Sequence, residues 1–225
     1  MTVNATENFI KINQQKPLVH HLTNWVTIYD CAQITRLFGA LPVMAHAKEE
    51  VEQMTRISSA LVLNIGTLTK DFVDAMILAG KAANEKNTPV ILDCVGVGAT
   101  TLRTNEAKRL LKEVKFSVIK GNAGEIGTLS GAEAEVKGVE SINVKGDKKE
   151  LAKALAKAEN SAVAITGEQD VVASHEGLVY LVDNGSKWMG KVVGTGCMAA
   201  SVIGCFTAVE KNSAKAAAAA LSAFG

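Results

Sequence analysis

A thiol and a hydroxyl set between glycines, just ahead of a run of small apolar residues, suit a backbone that must receive an anion. Val193-Gly194-Thr195-Gly196-Cys197 leads directly into Met198 to Val209 in this way. Glycines at the mouth of a helix let backbone N–H groups converge, and the helix dipole adds partial positive charge. Such a nest suits a phosphate, or a phosphoryl group in transit. An ordinary glycine-rich turn before a buried helix would read the same way, and the pattern is not the GxxxxGK[ST] loop. Cys197 falls in the first turn of that helix, where a thiol is expected to have a pKa below its free value of about 8.5. There it could orient an attacking hydroxyl or act as its weak base. The plainer role for a free cysteine is a small buried hydrophobe.

Two carboxylates could serve the same chemistry. Asp93 ends one apolar run and Glu125 closes Asn122-Ala123-Gly124-Glu125 after another. Hard oxygens near a nucleotide are what Mg²⁺ needs, together with waters and phosphates. Each residue alone also reads as a turn or helix-start acid. Lys120 and Asn122, with Thr166, lie at the ends of two further runs and could contact nucleotide phosphates. Lys120 could equally be a snorkelling edge residue. Pro17-Leu-Val-His-His-Leu-Thr-Asn24 places imidazoles, a hydroxyl and an amide on one early segment, and Pro42-Val-Met44 offers soft apolar contact for a heteroaromatic ring. Neighbours on an extended segment point to opposite faces, which argues against zinc at His20 and His21.

These residues need a scaffold that brings them together. Short apolar runs ending in turn signals read as buried strands: Ala60–Ile65, Pro89–Asp93, Phe116–Lys120 and Ala162–Thr166. Val171–Ala173 and Leu178–Val182 read as a hairpin turned at His175-Glu176-Gly177. Helical spacing covers Thr69–Glu85, with Thr69 as N-cap, and also Asn105–Val114, Lys149–Ala158 and Ser213–Phe224. Strands alternating with helices imply a mostly parallel sheet with right-handed crossovers. In such sheets ligands sit beyond the carboxyl ends of the strands. All four clear runs end in small or chemically useful residues there: Asn64-Ile65-Gly66-Thr67, Asp93, Lys120 to Glu125, and Thr166-Gly167-Glu168.

Composition bounds the rest. At 225 residues with no repeat or linker, residues 1–225 read as one α/β domain. Aromatics are 4% against 48% hydrophobic overall, so the core is aliphatic, as helices on a buried parallel sheet require. A net charge of +1 with no basic stripe excludes a nucleic-acid binder, and Lys145 to Lys149 reads as solvated charge. Four dispersed cysteines, a polar Met1–Pro17 segment and no membrane-length apolar run lead to the expectation of a soluble cytosolic protein without membrane contact.

Taken together, the segments resemble hydroxyethylthiazole kinase, a thiamine-salvage family of the ribokinase-like superfamily. The resemblance runs in order through PLVHHLTN (17–24), PVMA (42–45), ALVLNIGTL (60–68), VILDCVGVGAT (90–100), IKGNAGEI (119–126), ITGE (165–168) and GTGCM (194–198). It implies a three-layer αβα fold and ATP- and Mg²⁺-dependent phosphorylation of the primary hydroxyl of 4-methyl-5-(2-hydroxyethyl)thiazole. It also implies a homotrimer with active sites at subunit interfaces. On matching positions, Met44, Gly194 and Asn24 would meet the thiazole, and Lys120, Thr166 and Asn122 the nucleotide. Asp93 and Glu125 would manage Mg²⁺. Gly194, Thr195, Gly196 and Cys197 would serve catalysis, with Cys197 where the wider superfamily has an aspartate base. The chain departs from the family pattern at Lys120 (usually Arg), Cys94 (usually Pro), His21 (usually smaller) and Val193 (commonly Thr). The family also continues beyond the position of Gly225. Two other readings remain open: a kinase of another small heterocyclic alcohol, and a non-catalytic binding protein.

Overall fold

In the runs expected to be strands, residues facing either way are apolar, which is stable only if helices cover both faces. The computed structural model describes residues 3–131, 134–137, 140–144 and 147–225, with 134–137 and 140–144 described by backbone alone. Met1, Thr2 and the Lys145-Gly146 part of the expected charge cluster lie outside the described residues. The chain opens with α1 (Ala5–Gln15), β1 (Leu18–Leu22), α2 (Ile28–Leu37), β2 (Leu41–Val43) and α3 (Val51–Ile57). It continues through β3 (Ala60–Asn64), α4 (Lys70–Glu85), β4 (Val90–Asp93), α5 (Thr101–Glu113), β5 (Val118–Asn122) and α6 (Ala123–Leu129). The hairpin strands β6 (Ala134–Lys137) and β7 (Glu140–Val144) follow, then α7 (Lys148–Glu159) and β8 (Ala162–Thr166). Last come β9 (Asp170–Ala173), β10 (Val179–Val182), α8 (Thr195–Thr207) and α9 (Ser213–Phe224).

The large sheet has the order β10-β9-β8-β5-β4-β3-β1-β2. From β2 to β8 every pairing is parallel, and β9 runs antiparallel between β8 and β10. Period-two alternation divides the core. Leu61, Leu63, Leu92, Ile119, Val163 and Ile165 pack with α4, α5, α6 and α7 on one face. Their neighbours Val62, Ile91, Val118 and Ala164 pack with α1, α8 and α9 on the other. The result is the expected three-layer αβα sandwich. No helix among the described residues is long and apolar enough to cross a membrane.

Several boundaries differ from expectation for physical reasons. β5 runs on through Gly121 and Asn122, because both pair with β8 opposite Ile165 and Thr166. The glycine that reads as a turn signal is a ladder residue. α5 begins at Thr101, since Thr100 accepts a hydrogen bond from the Arg103 N–H and caps it. α8 begins at Thr195, two residues before Cys197. α1 is not among the helices expected from spacing; its sequence is largely polar, and it buries only Asn8 and Ile12. The cap at Thr69 and the hairpin turn at Gly177 (φ 89°) form as expected.

The histidine pair faces opposite ways, as an extended segment demands. His20 Nδ1 lies 2.9 Å from Thr55 Oγ1 and its Nε2 2.8 Å from the Ala45 carbonyl, while His21 Nε2 lies 3.4 Å from Thr35 Oγ1 on α2. Burial depresses the His20 pKa to about 4 and that of His21 to about 3. Both folded values lie below the unfolded value, so this stability is complete above pH 6.5 and is lost as pH falls from there towards 4 and 3. At pH 5 each ring is expected to cost about 2 kcal/mol relative to neutral pH. A thermal melt of His21→Ala that keeps the full wild-type pH dependence between pH 7 and 5 would contradict this origin.

Candidate active site

β1 is the strand at which the sheet order reverses, with β2 on one side and β3 on the other. Such a reversal leaves a crevice beyond the carboxyl ends of the strands. Asn24 follows β1, and its Nδ2 donates to Asn64 Oδ1 at the end of β3 at 2.9 Å. Asn64 Nδ2 donates to Asp93 Oδ2 at the end of β4 at 2.6 Å, and Lys120 Nζ of β5 donates to Asp93 Oδ1 at 3.0 Å. Asn64 is opposite Asp93, and Asp93 opposite Lys120, in the parallel register. One row across three strands, joined by Asn24 from the loop after β1, thus forms a buried polar relay.

The relay ends on the glycine turn. Gly194 takes φ 91°, a conformation open to glycine, and caps α8. The first intrahelical bond is from the Met198 N–H to the Gly194 carbonyl. Among the described residues, the N–H groups of Thr195, Gly196 and Cys197 donate to no protein acceptor, so three donors point out of the helix end. The Thr195 hydroxyl is turned away and donates to the Met189 carbonyl at 3.1 Å, leaving its N–H as its contribution. Lys120 Nζ sits beside this helix end, 3.1 Å from where a Cβ on Gly196 would stand. Burial opposes the Lys120 charge, but Asp93 and Glu125 outweigh it and hold the ammonium above its ordinary pKa. The nest therefore combines a fixed cation with three N–H donors.

Cys197 corrects one expectation. Its Sγ accepts from Asn24 Nδ2 at 3.3 Å. Burial first, and then the Asp93 charge, raise its pKa above the ordinary thiol value. Desolvation and a nearby anion outweigh the helix dipole, so the group is a neutral thiol, able to donate a hydrogen bond but poorly suited to act as a base.

A cavity of about 840 Å³ opens in front of the nest, lined also by Lys120, Asn122, Glu125, Lys148 and Thr166. A second, of about 790 Å³, shares Thr166, Gly167, Thr195 and Gly196 with it and extends to Phe224. Thr166 lies at the junction of the two. Glu125 completes a capping box with Asn122: Glu125 Oε2 accepts from the Asn122 N–H at 2.7 Å, and the Glu125 N–H donates to Asn122 Oδ1 at 3.0 Å. Glu125 Oε1 accepts from the Gly96 N–H at 2.7 Å. Burial pushes this carboxyl up to about 7 against the pull of Lys120. Among the described residues no cluster of three or more His, Cys, Asp or Glu side chains forms a metal cage.

Most of the residues singled out from sequence therefore meet at one place. Met44 does not: it follows the edge strand β2 and is not among the residues lining the cavity. Asn64, Thr27 and Lys148 have site positions without having been assigned roles from sequence. Register supplies the missing signal for Asn64, since it stands opposite Asp93. Thr27 accompanies Asn24, with its N–H and hydroxyl both donating to Asn24 Oδ1 at 3.1 and 3.2 Å.

A model of the hydroxyethylthiazole kinase family matches residues 9–225. The hydroxyethylthiazole kinase of Methanosarcina acetivorans is 54% identical over 214 residues, which span 95% of this chain and 82% of that protein. The solved structure of hydroxyethylthiazole kinase protein from Pyrococcus horikoshii OT3 superposes with a TM-score of 0.85 at 37% identity, covering 96% of this chain and 81% of that one. A ribokinase-like superfamily protein from Enterococcus faecalis V583, 16% identical with a TM-score of 0.65 over 97% of this chain and 78% of that one, shares the fold.

Proposed function

We propose, because this chain belongs to the hydroxyethylthiazole kinase family, that it is a phosphotransferase acting on an alcohol. It moves the γ-phosphoryl group of ATP to the primary hydroxyl of 4-methyl-5-(2-hydroxyethyl)thiazole in thiamine salvage. The observation that supports this most is the α8 nest, where three free N–H groups and the Lys120 ammonium converge beside the Cys197–Asn24–Asn64–Asp93 relay. Phosphoryl transfer has a loose transition state, so placing the reactants and absorbing charge matter more than full deprotonation. The nest absorbs charge on the transferring group. The Cys197 thiol, held by Asn24, orients the alcohol. Thr166, at the junction of the two cavities, suits a nucleotide passing between them, with Asn122 at the rim.

Mg²⁺ belongs to this reading through Asp93 and Glu125. Glu125 lines the cavity and would face an ion that keeps its waters, whereas Asp93, fully buried and accepting from Asn64 and Lys120, would add negative charge behind it. When bound, the ion would neutralise charge on the phosphates. Residues 1–225 act as one kinase domain, and the unpaired state of all four cysteines supports a cytoplasmic setting.

The proposed homotrimer fits the surface around the site. Trp25, Val26 and Tyr29, close to Asn24 in sequence, are exposed, as are Trp188, Val192 and Val193 ahead of the nest. A second copy covering these residues could also bring its Met44 to the thiazole. Sedimentation equilibrium is expected to give the mass of three chains, and a monomer at micromolar concentration would contradict it.

Substrate choice is tested by a panel of hydroxyethyl heterocycles and pyrimidine alcohols with Mg-ATP. The thiazole alcohol is expected to have the highest kcat/KM. Faster turnover of another heterocyclic alcohol would favour the related-kinase reading, and tight thiazole binding without ADP release would favour a binding protein. Cys197→Ala is expected to lower kcat only modestly, about fivefold, since it removes one hydrogen bond of about 1 kcal/mol. Cys197→Asp is expected to keep or raise it. A wild-type rate in Cys197→Ala would remove the thiol from the reaction.

A further inference from the structure

Arg103, in the first turn of α5, is half-buried and, among the described residues, pairs with no carboxylate. Its guanidinium is spent on backbone carbonyls. Nη1 donates to Ile65 at 2.9 Å and to Val95 at 3.0 Å, and Nη2 donates to Gly66 at 2.6 Å. Ile65 and Gly66 follow β3, whereas Val95 follows β4. A single planar cation therefore ties together two neighbouring strand-end loops.

Each loop supports a different half of the site. In the first, the Gly66 N–H donates to Asn64 Oδ1 at 2.9 Å. Gly66 also lies so close to Asn24 that a Cβ there would stand 2.7 Å from the Asn24 Cβ. Both asparagines belong to the relay that reaches Cys197. In the second, Gly96 directly follows Val95 and donates its N–H to Glu125 Oε1. Gly96 takes φ +77°, and a Cβ there would stand 3.0 Å from Arg103 Cδ, so Arg103 packs against the turn whose carbonyl it grips. The Cys197 side of the site and the Glu125 side are joined at Arg103.

We propose that Arg103 is a positioning residue: it sets the alcohol-orienting relay at a fixed distance from the Glu125 side of the cavity, so that hydroxyl and phosphoryl group meet in line. The inference rests on the kinase reading above. Small misplacement of reacting groups is costly in such a transfer, and a lysine cannot reproduce the fork that spans three carbonyls.

The test compares Arg103→Lys and Arg103→Met with the wild-type enzyme in steady-state kinetics, alongside thermal melts and a cycle with Glu125→Gln. The expected result is a fall in kcat of about 10- to 100-fold in both variants, with the KM for ATP changed less than about threefold. Arg103→Lys is expected to stay folded at the assay temperature. Arg103→Met combined with Glu125→Gln is expected to be about tenfold or more faster than the product of the two single effects, because both act through the Gly96 turn. Full kcat in Arg103→Lys, a loss that only tracks the folded fraction, or multiplicative effects would overturn the inference while the wild-type enzyme still turned over. Absence of turnover in the wild-type enzyme would overturn the kinase reading and this inference with it.

Discussion

Gly194→Ala is expected to lower kcat/KM at least about 100-fold, an effect comparable to the loss of an oxyanion-hole donor. Two independent features produce it. Gly194 has φ 91°, where a side chain adds strain of about 1–3 kcal/mol. A Cβ there would also stand 2.3 Å from Thr27 Cγ2 and 3.0 Å from Thr27 Cβ. The collision cannot be absorbed locally, because Thr27 is buried and holds Asn24 through two hydrogen bonds. Asn24 in turn holds the Cys197 thiol. Shifting Thr27 therefore moves the thiol proposed to orient the alcohol, while the altered turn moves the N–H donors of the nest. Kinetics with circular dichroism check this: a folded Gly194→Ala protein with near wild-type kcat/KM would show that the turn does not shape the site.

Asp93→Ala has the second large effect, and its consequences separate stability from chemistry. The carboxylate and the Lys120 ammonium are 0% and 5% exposed, so removing the acid leaves a buried cation without its partner. That is expected to cost about 3–5 kcal/mol of folding stability and to abolish turnover. The double variant Asp93→Ala with Lys120→Met removes both charges and is expected to regain most of the stability. It regains no activity, because the nest has lost its cation and the relay its acceptor. Denaturant unfolding and turnover measured on both proteins decide the matter. Wild-type activity in the double variant would mean that the pair only supports the fold.

The pairing of these two residues also shows how far sequence reading reaches here. Aliphatic runs and their polar ends were enough to locate four strands and to propose that Asp93, Lys120, Glu125 and Thr166 face one place, since parallel strands put their carboxyl ends on one edge. What the runs lack is register. That Asn64, Asp93 and Lys120 lie opposite one another depends on ladder pairing, so the Asp93 partner of Lys120 is not visible in the sequence. Cys197 shows the same limit in electrostatic form. Its place in a first helical turn is visible in the residue order, but the burial and the Asp93 charge that reverse its pKa shift belong to the tertiary structure. Arg103 is the extreme case. It lies ahead of the helix expected over Asn105–Val114 and has no role in the sequence reading, and only the loops folded around it reveal three carbonyl partners.

On the proposed function, the nest and the relay together pass a phosphoryl group to a thiazole alcohol. The most direct measurement follows the phosphorus itself: γ-labelled ATP, Mg²⁺ and 4-methyl-5-(2-hydroxyethyl)thiazole are incubated with the enzyme, and the products are separated. The label is expected in the phosphate ester of the hydroxyethyl group, in step with ADP, and to fall at least about 100-fold with Gly194→Ala. Label recovered only as inorganic phosphate, or retained in ATP, would contradict the claim.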